Sequence, residues 1–250
     1  MRSFLKLSYS GAGFHGWQSQ PNASSVQQTI EEALSTILRR RVAITGAGRT
    51  DTGVNARVMY AHFDHDGDLP DKTRLLNGLN RLCGHGISVT DIIEVPDVAH
   101  ARFDATSRTY KYFVALEKSP FLEGCSWHSP GTLDIDAMNK AAELLVKTSD
   151  FTSFAKLHSD TKTNICRVTE ARWERWENTF GVPGLVFTIT ADRFLRNMVR
   201  AVVGTLVEVG RRRLDLRGFR EIIEKKDRCS AGTSMPPQAL FLWDIKYPYI

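Results

Sequence analysis

From Phe4 to Ser10 apolar and polar residues alternate, the period of a strand with one buried face. A glycine-rich stretch runs on to about Asn22. Ser24 and Ser25 then open a helical pattern, with Gln27 and Gln28 three residues on as in a capping box. Ile30, Ala33, Leu34, Ile37 and Leu38 recur at helical spacing and form one apolar stripe. After a loop at 46–56, Arg57 to Phe63 reads as a strand, Asp71 to Leu82 as a helix and Ile87 to Val95 as a strand. Pro96 to Thr106 has no clear period and marks the crossing between two halves, 1–105 and 106–250. In the second half Arg108 to Leu116 is strand-like and Asp134 to Val146 helical. Cys166 to Trp176 and Leu185 to Ala191 read as strands separated by a Gly-Val-Pro-Gly turn. Leu195 to Val209 is a helix apolar on most faces, Leu214 to Glu224 is amphipathic, and Leu240 to Tyr247 is a last strand. Strand often follows strand, which predicts an α+β fold with largely antiparallel sheet rather than a doubly wound parallel one.

The bulk numbers narrow this picture. At 250 residues, 42% hydrophobic and 24% charged, the chain has the balance of a globular protein, which argues against dominant disorder. No apolar run approaches the roughly 20 residues of a membrane helix, and the first ten residues lack the apolar core and cleavage site of a secretory leader. A cytoplasmic protein is expected. Cys83, Cys125, Cys166 and Cys229 lie far apart with no Cys-x-x-Cys pair, which predicts buried, reduced thiols rather than a zinc ribbon or a disulfide framework. The net charge of +5 permits a polyanionic partner without requiring one. Arg39-Arg40-Arg41 and Arg211-Arg212-Arg213 each close a helix-like run, where they fit either cationic helix ends or contacts to a phosphate backbone.

Three short motifs compete for a chemical reading. Gly11-Ala-Gly13-Phe-His-Gly16 has the G-x-G-x-x-G spacing, but a dinucleotide site needs a helix opening at the last glycine. Here Trp17-Gln-Ser-Gln-Pro21 follows, so a flexible or substrate-facing loop is the better reading. Asp51-Thr52-Gly53 is the tripeptide of aspartic proteases, whose chemistry needs two carboxylates sharing a proton. There is no second such tripeptide, and Arg49 would oppose proton sharing. His62, Asp64, His65 and Asp68 are metal-type ligands, yet His62 and Asp64 share a strand face while His65 points away. A solvated strand end is expected.

Gly48-Arg-Thr-Asp51-Thr-Gly-Val-Asn-Ala56 resembles the G-R-T-D-x-G-V-H-A loop of the tRNA pseudouridine synthase A (TruA) family. Gly13-Phe-His-Gly-Trp-Gln-Ser-Gln-Pro21 with Ser25-Val-Gln27 is similar to that family's G-W-Q-x-Q-P and T-V-Q segments. Ala101-Arg-Phe-Asp-Ala105 with Arg108-Thr-Tyr110-Lys-Tyr112 resembles its R-F-x-A and R-x-Y-x-Y pair. Phe194-Leu-Arg-Asn-Met-Val-Arg200 with Val203-Gly-Thr205 resembles its F-L-x-x-M-V-R and V-G-T helix. Ala231-Gly-Thr-Ser-Met-Pro-Pro237 with Leu240-Phe-Leu242 resembles its terminal segment. These matches run in the family's order from end to end. Two departures stand out: Asn55 where the family usually has His, and Ser-Met where it usually has Thr-Ala before the paired prolines.

The resemblance implies two ferredoxin-like halves whose largely antiparallel sheets adjoin across a central basic cleft. It implies a homodimer that accepts tRNA across both subunits, with no other protein partner. The reaction it implies isomerises uridine to pseudouridine in the anticodon stem-loop, nominally positions 38 to 40, with no cofactor and no metal. Asp51 would be the catalytic carboxylate and Arg200 its cationic partner. A charge set among Met198, Val199, Val202, Val203 and Leu206 is rarely left unpaired, although snorkelling to the surface or bridging a structural acid would also serve it. Tyr110 would stack on the target uracil, with Arg108 beside it; the same pattern also suits an ordinary cross-strand aromatic patch. Arg49 would enter the base stack and hold phosphate, or else brace its own loop. Arg196, one helical turn before Arg200, would touch phosphate, and Leu240 would wall the base pocket. The rivals are a non-catalytic RNA-binding protein on the same scaffold and an aspartic-type hydrolase, which needs a dyad.

Overall fold

A computed structural model of the chain describes residues 1–67, 69–157 and 162–250. In chain order its elements are β1 (Arg2–Tyr9), α1 (Val26–Leu38), β2 (Thr45–Gly46), β3 (Asn55–Asp64), α2 (Lys72–Leu82), β4 (Ile87–Val95) and β5 (Ser107–Ala115). Then follow β6 (Trp127–His128), α3 (Ile135–Val146), β7 (Val168–Trp176), β8 (Gly184–Ala191), α4 (Met198–Gly210), α5 (Leu216–Lys225) and β9 (Leu240–Lys246). The chain divides into two compact units, Met1–Thr106 with Phe241–Ile250, and Ser107–Leu240. The last ten residues, placed with the second half by the sequence pattern, belong with the first unit.

In the first unit β1 lies between β4 and β3, antiparallel to both, and β9 runs parallel to β3 with Asn55 opposite Phe241. Central placement buries β1 on both faces. Leu5 and Leu7 are buried on one side, and Phe4 on the other packs against the rings of Tyr60, His62 and Tyr247. Ser25 caps α1 by accepting from the Gln28 amide, and Asp71 caps α2 by accepting from Thr73 and Arg74. The capping box is only half made, because the Gln28 side chain turns outward to donate to Glu32.

In the second unit β8 lies antiparallel between β5 and β7, and β6 adds parallel to β5. Helix α3 packs on β7, and α4 and α5 pack with it. Asp134 and Asp215 cap α3 and α5. Mostly antiparallel strand pairing, with five α-helices among the described residues, makes this an α+β fold. No helix among the described residues is long and apolar enough to cross a membrane.

Helix α4 starts later than its apolar run suggests. Asn197 sits in the left-handed region at φ 63°, so Leu195, Arg196 and Asn197 precede the helix rather than form its first turn. In the first arginine triplet Arg40 pairs with Asp66 in the loop after β3; in the second, Arg211 and Arg213 pair with Glu208 near the end of α4 and Arg212 with Asp134, the cap of α3. Cys83 and Cys166 are buried thiols, each pushed up to about 11 by burial, whereas Cys229 is exposed and Cys125 half-buried.

The residues at 62–68 hold no metal-type cluster among those described, and Asp68 lies outside them. His62 Nδ1 accepts the Ala101 amide, His65 lies between Ser3 Oγ and the Gly67 amide, and Asp64 pairs with Arg2. Burial, with the nearby Arg2 charge, holds the His62 imidazole down at about 4. The unfolded chain takes up this proton near the ordinary imidazole value of about 6.5, so the folded state loses stability as pH falls from there towards 4. With solvent screening taken into account, we expect a loss on the order of 1–2 kcal/mol across that window. Chemical denaturation at pH 7, 6, 5 and 4 checks it: His62→Asn, which keeps an acceptor for Ala101, flattens the slope, and an unchanged slope rules His62 out as its source.

Candidate functional site

The loop that carries Asp51 joins β2 to β3 in the first unit. Its turn closes by the Val54 amide donating to the Asp51 carbonyl at 3.1 Å, with Gly53 at φ 78° in the position that needs a left-handed backbone. Thr50 is 8% exposed, between exposed Arg49 and half-buried Asp51. Its hydroxyl lies 2.8 Å from the phenol oxygen of buried Tyr9, and its carbonyl accepts the Trp17 amide at 3.2 Å. At the far end of the loop the Asn55 side-chain oxygen accepts the Gly11 amide at 2.8 Å, and Asn55 is only 3% exposed.

These ties explain two glycines of the G-x-G-x-x-G stretch, Gly11 and Gly16, without a nucleotide. A β-carbon at Gly11 would stand 2.5 Å from the Gly53 carbonyl carbon, and one at Gly16 would stand 2.6 Å from the Thr50 carbonyl oxygen. The stretch is therefore a brace laid backbone-to-backbone against the Asp51 loop. It is braced in turn on α1, where the Val26 amide donates to Gly16 and the Gln27 amide to Trp17. The Gln27 side chain then bridges the Ser19 amide, Glu31 and the Ile44 carbonyl. Tyr9, Thr50 and Asn55 had no signal as a group in the sequence, since 41 and 44 residues separate the bonded pairs.

The second unit holds the remaining candidates. Tyr110, on β5 opposite Ile189, is half-buried and meets Phe194 edge-on with ring centroids 5.0 Å apart. Tyr112 shares its strand face yet is fully buried. Its hydroxyl donates to the Pro236 carbonyl at 3.1 Å, and burial pushes its phenol far up despite the nearby Arg200 charge. Of the two tyrosines only Tyr110 offers a ring for stacking. Arg108 is half-buried and donates to the Asp192 carbonyl at 2.8 Å. Arg196 is exposed, and because it precedes α4 it does not share a helix face with Arg200; its carbonyl accepts the Lys156 amide. Leu240 is buried at the start of β9.

Arg200, in the first turn of α4, fastens the terminal segment to the helix. Its Nε donates to the Met235 carbonyl at 2.6 Å and its own carbonyl accepts the Met235 amide at 3.1 Å. Further on, the Thr205 hydroxyl accepts the Gly232 amide at 2.9 Å. A β-carbon at Gly204 would fall 1.9 Å from the Thr233 carbonyl oxygen. Ser234, one of the two departures from the motif, receives Arg228 and Asn197. Together these contacts fix the Arg200 guanidinium by its Nε and hold Tyr112 under Pro236. Asp51 and Arg49 thus belong to the first unit, and Tyr110, Arg108, Arg196, Arg200 and Leu240 to the second.

Residues 141–248 match the family model described as tRNA pseudouridine synthase. The chain is 54% identical over 247 residues to the tRNA pseudouridine synthase A of Bacteroides thetaiotaomicron, covering 99% of this chain and 91% of that one. It is 55% identical over 247 residues to that of Parabacteroides distasonis, covering 99% and 96%. With that of Porphyromonas gingivalis it shares 52% identity over 248 residues, covering 99% and 97%.

The packing of α4 against the terminal segment yields a direct test. Gly204→Ala drives a methyl into the Thr233 backbone, an overpacking that costs roughly 1–3 kcal/mol, and we expect a lower melting temperature in calorimetry. A variant that melts with the wild type would show that the segment yields at no cost.

Proposed function

The chain belongs to the tRNA pseudouridine synthase A family, whose members are tRNA-modifying isomerases, and on that premise we propose that Asp51 is its catalytic carboxylate and that its substrate uridines lie in the anticodon stem-loop, nominally positions 38 to 40. The N1–C1′ bond of uridine breaks, the base rotates, and a C5–C1′ bond forms while the C5 proton is lost and N1 gains one. No redox equivalent or energy source enters that balance. Asp51 acts at the anomeric carbon or the neighbouring 2′ position of a nucleotide flipped out of the stack.

The other residues take complementary parts in this proposal. Tyr110 stacks on the uracil and exchanges a proton with it, and Leu240 walls the far side of the base. Arg200 supplies the cationic group of the reaction. Arg49 fills the space that the flipped base leaves and holds its phosphate, with Arg196 and Arg108 as outer phosphate contacts. The protein acts as a cytoplasmic homodimer that binds tRNA across both subunits, and a net charge of +5 favours such a partner.

The observation that carries the reading is the hold on the Asp51 loop. Thr50, the residue before Asp51, is buried and tied by side chain and carbonyl, so the carboxylate is presented from a fixed backbone. Pseudouridine formation on tRNA by purified enzyme is the test. Wild type is expected to modify the anticodon arm, and Asp51→Ala and Asp51→Asn to lose turnover by at least about a hundredfold. Full turnover in either variant overturns the assignment. Arg200→Met is expected to lower the rate far more than tRNA affinity, with melting followed in parallel because Arg200 also holds Met235. Equal losses of rate and affinity would instead make Arg200 a general RNA contact.

A further inference from the structure

We propose that Tyr9 and Asn55 are positioning residues that set the pose of Asp51 by clamping its loop at both ends. The inference rests on the reading of Asp51 as the catalytic carboxylate. Tyr9 grips the residue before Asp51 through its phenol, 2.8 Å from the Thr50 hydroxyl. Asn55 grips the end of the loop by accepting the Gly11 amide at 2.8 Å. Both side chains are buried, Tyr9 at 5% and Asn55 at 3% exposure, so neither bond competes with water.

The two clamps share one anchor. Tyr9 ends β1, just beyond the register shift that separates it from Leu7, and Gly11 lies two residues further along the chain. At Gly11 the brace meets the Gly53–Val54 backbone with no room for a β-carbon, so the Asn55 bond fixes a contact already at its closest approach. A loop held at one end can pivot about it. Held at both, the Asp51–Val54 turn has its position set by β1, and a shift of about an ångström at a reacting carboxylate can cost a hundredfold in rate. The structure also says what a replacement at 55 must supply: an acceptor at the position of the Asn side-chain oxygen. A neutral imidazole offers its Nδ1 there, whereas Leu, of similar size, offers none.

The test uses the full-length protein and tRNA in single-turnover pseudouridine assays at pH 8, with tRNA affinity and melting temperature measured on the same samples. Tyr9→Phe and Asn55→Leu are each expected to lower the rate about tenfold or more, with tRNA affinity within about twofold of wild type and the fold intact. Asn55→His is expected to return most of the rate that Asn55→Leu loses. Asp51→Asn is run beside them. If it is inactive while Tyr9→Phe and Asn55→Leu turn over as wild type, the clamps do not position Asp51 although the catalytic reading stands. If Asp51→Asn is itself active, that reading falls and the positioning role with it. Rate losses that track lost melting temperature, or that Asn55→His leaves unrescued, would make the two residues structural supports and overturn the proposal.

Discussion

At Gly11 a β-carbon would stand 2.5 Å from the carbonyl carbon of Gly53, and the candidate loop of the first unit is arranged around that exclusion. Backbone packed directly on backbone leaves little room for alternative loop conformations, because the atoms that meet are those that rotamer changes cannot move. The second unit uses the same device at Gly204, where α4 meets the Thr233 carbonyl. In each unit a charged candidate, Asp51 or Arg200, sits within a few residues of such a contact. Each is further tied by short hydrogen bonds, through Thr50 in one case and Met235 in the other.

This arrangement suits chemistry that needs precise placement more than unusual acidity. Isomerising a glycosidic bond asks for orientation and proton transfers, and orientation is the larger of these contributions available to a rigid scaffold. Tyr112 illustrates the division of labour along one strand. It gives its whole ring to the core and its hydroxyl to Pro236, and so secures the terminal segment while Tyr110 two residues earlier keeps a half-buried ring against Phe194.

What the sequence showed depended on how local the determining interaction was. Helix α1 was legible from its cap and apolar stripe and α5 from its amphipathic pattern, and the caps at Ser25, Asp71, Asp134 and Asp215 are local signals that act within three residues of themselves. The start of α4 was misread because the apolar run continues back to Leu195 and only the left-handed backbone of Asn197 interrupts it. That error also placed Arg196 on a helix face it does not occupy. The two-residue strands β2 and β6 are too short to have a period. Asp51, Tyr110 and Arg200 could be named from motif resemblance, but the residues that hold them could not. Tyr9 reaches Thr50, Asn55 reaches Gly11 and Tyr112 reaches Pro236 across tens of residues, so no local pattern records them. The glycine stretch at 11–16 was read as a flexible or substrate-facing loop. Its positive role as a brace emerged only from the distances.

The most direct measurement is the pseudouridine map of tRNA from cells whose sole copy of this gene encodes Asp51→Asn, with the protein shown to be folded and present at wild-type level. The account predicts unmodified uridines in the anticodon arm wherever the wild-type copy yields pseudouridine. An unchanged map from the variant would contradict it.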